Sequence, residues 1–238
     1  MKVTYLYHSG FVVELEKYVL VFDYYQGTLP VWDGEKTIVF FASHQHQDHF
    51  RMKIFDFFGQ YKNIHYVLSS DIRLSDAYLE RNGVDTAVRG AITRIGKNQQ
   101  VCWQEIEVET LRSTDEGVAF LVSAEGKAMY HGGDLNWWHW EGEDDAWNEQ
   151  MGKDYKKEIS RIAGRHFDVA FVPLDPRLGE SFGLGLEVFL QQTDPSVVFP
   201  MHMWERYDVI SRFRKSPAGE LYADRIREIT APGQVFVV

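Results

Sequence analysis

The run TIVFFAS, Thr37 to Ser43, is apolar without interruption from Ile38 to Ala42 and then gives way to HQHQDHF. A strand that is apolar on both pleat faces must be covered on both faces. The sequence after it, MKIFDFFGQY, fits a helix. A covered strand thus runs straight into three histidines and an aspartate within six positions: His44, His46, Asp48 and His49. The covered strand calls for layers packed on both of its faces, and the polar cluster follows directly at its end.

The rest of the chain alternates strand and helix patterns. VTYLY, FVVEL and YVLVF alternate or run apolar, with Gly10 and Glu16-Lys17 between them. IHYVLSS predicts a further strand. A helix is expected over IRLSDAYLERNG, capped by Asp71 and stopped at Gly83. The middle predicts strands in AITRI, VCWQEIEVETLR, GVAFLVSA and KAMYHG. A polar helix follows over EDDAWNEQMGKDYKKEISRIAG, then a buried strand FDVAFVPLD, a helix LGLEVFLQQTD and a strand SVVFPMH. The tail predicts helices in VISRFRK and ELYADRIREI and a last strand, QVFVV. No linker, short-period repeat or low-complexity segment divides the chain. The expectation is mixed α and β, with sheets packed face to face and helices outside them, in one domain over residues 1–238.

Composition narrows the function classes. The 238 residues suffice for a large core. A net charge of −10 repels polyanions, and KKEISRIAGR, the densest basic stretch, is interrupted by Glu158, so no nucleic-acid partner is expected. The lone Cys102 excludes an internal disulfide and fits a reducing cytoplasm; its strand position predicts burial and inertness. MKVTYLYHSG does not read as a signal peptide, and no run reaches membrane-spanning length, so a cytoplasmic protein with no membrane association is expected.

The cluster carries the chemistry. His44 and His46 are two apart, so a strand ending at Ser43 points both imidazoles the same way. Asp48 and His49 follow in the turn that opens the helix, which lets the four side chains divide between two adjacent ions. Imidazole nitrogen and carboxylate oxygen suit zinc, and also manganese or iron. The competing reading is a histidine-rich surface loop. Such runs repeat one residue type and sit beside disorder, whereas this one lies between a buried strand and a helix.

The H-x-H-x-D-H pattern of His44 to His49 resembles the signature of the metallo-β-lactamase superfamily. Three other segments match in order. YLYHSGFVVEL…YVLVFDYY resembles the opening hairpin that ends in an aspartate, here Asp23. MYHGGDLN resembles the segment that supplies a bridging carboxylate, here Asp134, and VVFPMHMW resembles the late strand that delivers a final histidine, here His202. The resemblance implies a four-layer αβ/βα sandwich with the metals at the sheet edges. It implies that His44 and His46 bind a first metal, that Asp48, His49 and His202 bind a second, and that Asp134 bridges them. Asp23 would orient the cluster from behind through hydrogen bonds. The implied activity is metal-assisted hydrolysis at one or two zinc ions, manganese or iron being the alternatives, with Asp48 orienting the nucleophile or relaying its proton. The substrate would be a small ester, lactone, amide or phosphodiester, and the chain most resembles the small cytoplasmic hydrolases related to sugar-lactone hydrolases. The rivals are a metal- or ligand-binding protein of the same fold without turnover, and a single-iron oxidoreductase.

The sequence departs from that pattern at one place. The first metal usually takes a third histidine from a loop after a middle strand, and here that loop, LRSTDEGVAF, has none. Asp115 is the natural substitute, ahead of Glu116 and Ser113; the competing reading makes Asp115 only a turn residue before Gly117. His8 reads as a packed core histidine, and His131 as either a packed residue or a partner behind Asp134. Trp137, Trp138 and Trp140 read as a pocket wall or as cover over the sheet edge. Arg177 would bind an anionic group or pair with Asp175 or Glu180.

Overall fold

The computed structural model describes all residues, Met1 to Val238. The first half of the chain supplies strands β1 (Lys2–Tyr7), β2 (Gly10–Glu14), β3 (Tyr18–Phe22), β4 (Thr37–Ala42), β5 (Ile64–Ser69) and β6 (Ile92–Ile95). The second supplies β7 (Gln100–Trp103), β8 (Ile106–Arg112), β9 (Val118–Ala124), β10 (Lys127–His131), β11 (His166–Pro173) and β12 (Asp194–Met201), with β13 (Val235–Val237) at the end. They form a seven-stranded sheet, β13-β1-β2-β3-β4-β5-β6, and a six-stranded sheet, β12-β11-β10-β9-β8-β7. Each sheet has an antiparallel part and a parallel part: β3 to β6 are parallel in the first, and β10 to β12 in the second.

The pleat explains the layers. In β3, Leu20 and Phe22 join the central core shared by both sheets, while Val19 and Val21 face the other way. In β4, Val39 and Phe41 face the central core and Ile38, Phe40 and Ala42 face outward. The outward face is covered by 3₁₀ turns at Met52–Phe57 and Thr86–Ala91 and by helix α1 (Asp76–Arg81), through Ile54, Phe55, Val88 and Leu79. The second sheet is covered by α2 (Asp145–Ser160) and α3 (Leu184–Gln192), through Tyr155, Ile159, Leu186 and Phe189. Helices α4 (Asp208–Arg214) and α5 (Pro217–Glu220) complete the tail. The result is the four-layer αβ/βα sandwich. No helix is long and apolar enough to cross a membrane.

Four local expectations are corrected. The expected helix at MKIFDFFGQY is the 3₁₀ turn Met52–Phe57. Asp71 does not cap α1; Ser75 does, accepting from Tyr78 N–H, and Asp71 instead accepts the Gln45 N–H. VCWQEIEVETLR is a hairpin rather than one strand, turning at Gln104 in left-handed backbone (φ 53°), so Cys102 lies exposed on the edge strand β7 instead of buried. ELYADRIREI is not helical beyond α5. Arg225 and Arg227 instead exchange backbone hydrogen bonds with Val198, so this segment covers the edge of β12.

Candidate metal centre

The parallel strands of both sheets end at one rim, where open α/β sheets place their ligand sites. Asp23 follows β3, His44 follows β4, Asp134 follows β10, Asp175 follows β11 and His202 follows β12. β1 runs parallel to β3, because both pair antiparallel with β2, so His8 after β1 reaches the same rim.

Asp23 organises the cluster from beneath. It is fully buried and accepts the Ser43 N–H at 2.8 Å, the Ser43 hydroxyl at 2.7 Å and His49 Nδ1 at 2.7 Å. Burial alone would raise its carboxyl, but His131 and His49 outweigh that and hold it below the usual range. A second pair repeats the arrangement: Asp175, buried after β11, stands 3.6 Å from His202 Nδ1. Burial pushes the Asp175 carboxyl up, yet the neighbouring His202 imidazole and the bonds from Arg177 bring it down to about 2. Carboxylates behind Nδ1 turn the Nε2 lone pairs of His49 and His202 forward, the usual support for a metal-ligating histidine.

In front of them stands Asp134. Its Oδ1 lies 2.8 Å from His202 Nε2 and 3.1 Å from His49 Nε2, and its Oδ2 lies 3.4 Å from His44 Nε2. His44 Nε2 in turn is 3.1 Å from His46 Nδ1. Ligand atoms around an ion with bonds of about 2.0–2.1 Å are spaced by about 3.0–3.4 Å, close to what these pairs show. Several of these buried atoms, His49 Nε2, His202 Nε2 and Asp134 Oδ1 among them, have no aligned hydrogen-bond partner. Buried polar atoms without partners need an explanation, and a shared cation supplies one. The donors fall into two groups, His44–His46–Asp134 and His8–His49–His202, each with ligand atoms within 4.8 Å of one another. The donor set therefore fits one or two divalent ions.

The six expected residues His44, His46, Asp48, His49, Asp134 and His202 thus share one rim, but not on equal terms. Asp48 is one-third exposed and lies outside both groups, with its Oδ2 3.5 Å from His8 Nε2. Asp115 also lies outside both groups; it lines the cleft beside Asp134, and burial followed by the Asp134 charge pushes its carboxyl above the usual range. Glu116 stands 3.6 Å from His46 Nε2, the nitrogen that faces away from His44, and accepts from Gln45 Nε2. The loop that carries both acids is held by Gly117, whose left-handed backbone (φ 69°) lets it lie against Ser43 and His44. Thr114 ties the same loop to the backbone of Asn136.

His8, read from the sequence as a core histidine, is buried in the cluster, its ring 4.0 Å from that of His202. His131 does pack, stacked on Phe22, and donates from Nε2 to the Ser9 carbonyl. Asp175 was legible only as a pairing partner for Arg177, which it is: Arg177 Nε and Nη2 grip its carboxylate at 2.6–3.0 Å. The available signal for His8 was topological, since the first and third strands of a meander end at the same edge.

A cleft of about 310 Å³ opens beside Asp134 and Asp115, walled by Trp138, Trp140, Trp147 and Met151 with Arg177 at its side. Trp138 and Trp140 are parallel, and the Trp138 indole N–H donates to the Asp134 carbonyl. Trp137 turns away to pack on Gly152 beneath Lys156. A larger groove of about 450 Å³ runs along Met1, Lys2, Glu14 and Lys127, but it contains no histidine, and its Lys2 and Glu14 charges pair with each other.

Comparison with solved structures decides the fold. An alignment with YhfI from Bacillus subtilis, described as a metallo-β-lactamase fold protein, covers 99% of each chain at 12% identity and a TM-score of 0.56. The chain has the metallo-β-lactamase fold. Igni18, a metallo hydrolase from the archaeon Ignicoccus hospitalis, matches all of the chain and 98% of its own length at 16% identity and a TM-score of 0.60. CmlA from Streptomyces venezuelae, a diiron β-hydroxylase, matches 85% of the chain over 44% of its own length, at 12% identity and a TM-score of 0.54. No protein-family model and no curated protein sequence matches the chain. Proteins with this fold therefore include metal-dependent hydrolases, and the metal-type cluster sits where the parallel strands of both metallo-β-lactamase-fold sheets end.

Proposed function

We propose that this chain is a metal-dependent hydrolase of a small molecule, acting at a dinuclear centre. The observation that carries the reading is the convergence of two donor groups on Asp134 from strand ends far apart in sequence. His44 and His46, with Asp115 from the neighbouring loop, would hold the first ion. His49 and His202 would hold the second, with Asp134 between the two. When bound, such ions supply a water that ionises near neutral pH and positive charge for the oxygen of the attacked group. Glu116 stands beside the outer nitrogen of His46, while His46 Nδ1 faces His44. Asp48, at the mouth, is placed to take up and release the proton. Trp138, Trp140 and Trp147 exclude water and cover a flat or CH-rich body, such as a lactone or aryl ester. Arg177 is spent on Asp175, so an anionic group on the substrate would meet a compensated cation rather than a free one.

Zinc is the favoured ion, with manganese or iron as alternatives. The test is hydrolysis of a panel of aryl esters, lactones and phosphodiesters by protein purified without chelator. Activity that a chelator abolishes and added zinc or manganese restores supports the proposal. Stoichiometric metal with no turnover across the panel overturns it in favour of a binding protein.

One observation favours a second reading. The loop beside the first donor group carries acids, Asp115 and Glu116, in place of a third histidine, and the same fold in CmlA serves a diiron hydroxylase. Harder oxygen ligands favour iron or manganese. Iron as the dominant metal in protein from metal-supplemented cells, with oxygen consumption in place of hydrolysis, would select this reading.

A further inference from the structure

We propose that His8 is a ligand of the second metal, so that this site is built from His8, His49 and His202 with Asp134, and Asp48 lies outside the coordination sphere. The inference rests on the dinuclear reading above and departs from the ligand set that the resemblance implies, in which Asp48 fills this place.

Three observations carry it. The first is delivery. His8 follows β1 in left-handed backbone (φ 54°), its N–H donates to the Tyr5 hydroxyl at 2.9 Å, and its carbonyl accepts the His202 N–H at 3.4 Å. Both ends of the peptide are thus anchored, and the ring is carried to 4.0 Å from the His202 ring and 5.6 Å from the His49 ring. The second is satisfaction. The His8 side chain is wholly buried, and neither nitrogen has a hydrogen-bond partner. A histidine kept only for packing leaves both nitrogens desolvated and unpaired, whereas an ion between the three rings gives one of them a strong partner. The third is geometry. One nitrogen of each of His8, His49 and His202 lies within 4.8 Å of the others, a span that small ring rotations close around an ion with bonds of about 2.0–2.1 Å. Asp48, one-third exposed, joins neither donor group; the contact that ties it to the cluster is the 3.5 Å from its Oδ2 to His8 Nε2.

The consequence is two unequal sites. Three imidazoles make the second site nitrogen-rich and suited to zinc, while the first, with two histidines, Asp134 and the neighbouring Asp115, is richer in oxygen and tolerates manganese or iron.

The test begins with the unaltered protein: an anomalous-scattering map and X-ray absorption on the zinc-loaded form. An ion bonded to His8 Nε2, with three imidazoles in the absorption fit, supports the proposal. An ion bonded to Asp48 but not to His8 overturns it and leaves the dinuclear reading intact. No ion at His49, His202 and Asp134 overturns both. Zinc titration of two variants adds an independent arm. Asn tolerates left-handed backbone, so His8→Asn should fold, which the melt of the chelated protein checks. His8→Asn should weaken the tighter zinc by at least about tenfold, and Asp48→Asn should leave it within about twofold. The reverse order overturns the proposal. If His8→Asn does not fold, the map and absorption data on the parent protein decide.

Discussion

Replacing Gly117 by alanine tests whether the acidic loop is clamped onto the metal rim by a close backbone approach. A Cβ at Gly117 would lie 2.0 Å from the Ser43 carbonyl oxygen and 2.5 Å from His44 Cβ, in backbone at φ 69°. Gly126 is the control: its φ is 71°, and a Cβ there meets nothing within 4 Å. Gly126→Ala therefore reports the left-handed penalty alone, about 1 kcal/mol. Gly117→Ala has that penalty and must also open the contact by about 1.4 Å to reach ordinary packing. That movement breaks the Val118 N–H bond to the Ser43 carbonyl, now 3.0 Å, and loosens the Ser113 N–H bond to the Gly117 carbonyl. Each buried bond lost adds about 1–3 kcal/mol, so the expected cost is about 3–5 kcal/mol. For a chain of this length that is a fall in Tm of about 10 °C, against about 2–4 °C for the control. Calorimetry on chelated samples measures both, and zinc titration should show weaker binding for Gly117→Ala only, because its loop carries Asp115 and Glu116. Melting of the two variants within about 2 °C of each other would refute the clamp.

Asp134→Ala should remove most bound metal while the chelated protein still folds, because Asp134 sits at the rim among histidines rather than in the apolar core; elemental analysis after gel filtration checks this, and full metal content would exclude it as the bridge. Asp115→Ala should weaken the first ion selectively and Asp115→His should tighten zinc there, whereas Glu116→Ala should have the smaller effect because Glu116 faces the outer nitrogen of His46; competitive titration separates the three, and parental behaviour of Asp115→Ala makes it a turn residue. His65, stacked on Trp103 and bonded to Thr93 Oγ1, has its imidazole pushed down to about 4 by burial. With a folded value below the unfolded 6.5, the unfolded chain takes up more protons in that window, so its contribution is intact above pH 6.5 and is lost as pH falls toward 4. Solvent at the sheet edge reduces the full linkage, leaving about 1–2 kcal/mol; denaturant melts of the parent and His65→Gln at pH 7 and pH 5 should converge at the lower pH, and a constant gap would contradict the assignment.

The layers were legible because burial on both faces leaves a mark in a single segment. TIVFFAS and FDVAFVPLD read as covered strands and SVVFPMH as a strand, and they are β4, β11 and β12. What failed were segments whose fate is set by distant partners. ELYADRIREI has a helical period, yet its backbone groups pair with Val198 at the edge of β12. Cys102 reads as buried inside one long strand, but the turn at Gln104 makes that strand an exposed hairpin arm. Propensity and period are local quantities, and a sheet edge that needs covering overrides them.

The candidate site divides along the same line. His44, His46, Asp48 and His49 lie within one turn of chain, so their spacing announces them. His8 and Asp175 are single polar residues at strand ends, and nothing within several residues of either marks it. What gathers them is topology: β1, β3, β4, β10, β11 and β12 all end at one rim, so His8, Asp23, His44, Asp134, Asp175 and His202, each one to three residues past its strand, meet there. On this view the ligand set is a property of the rim and not of the motif. Asp48 satisfies the motif but joins neither donor group, while His8 lies outside the motif and belongs to one of them. Substitution at His8 should therefore disturb metal binding more than substitution at Asp48, although only Asp48 belongs to the segment by which the site is recognised.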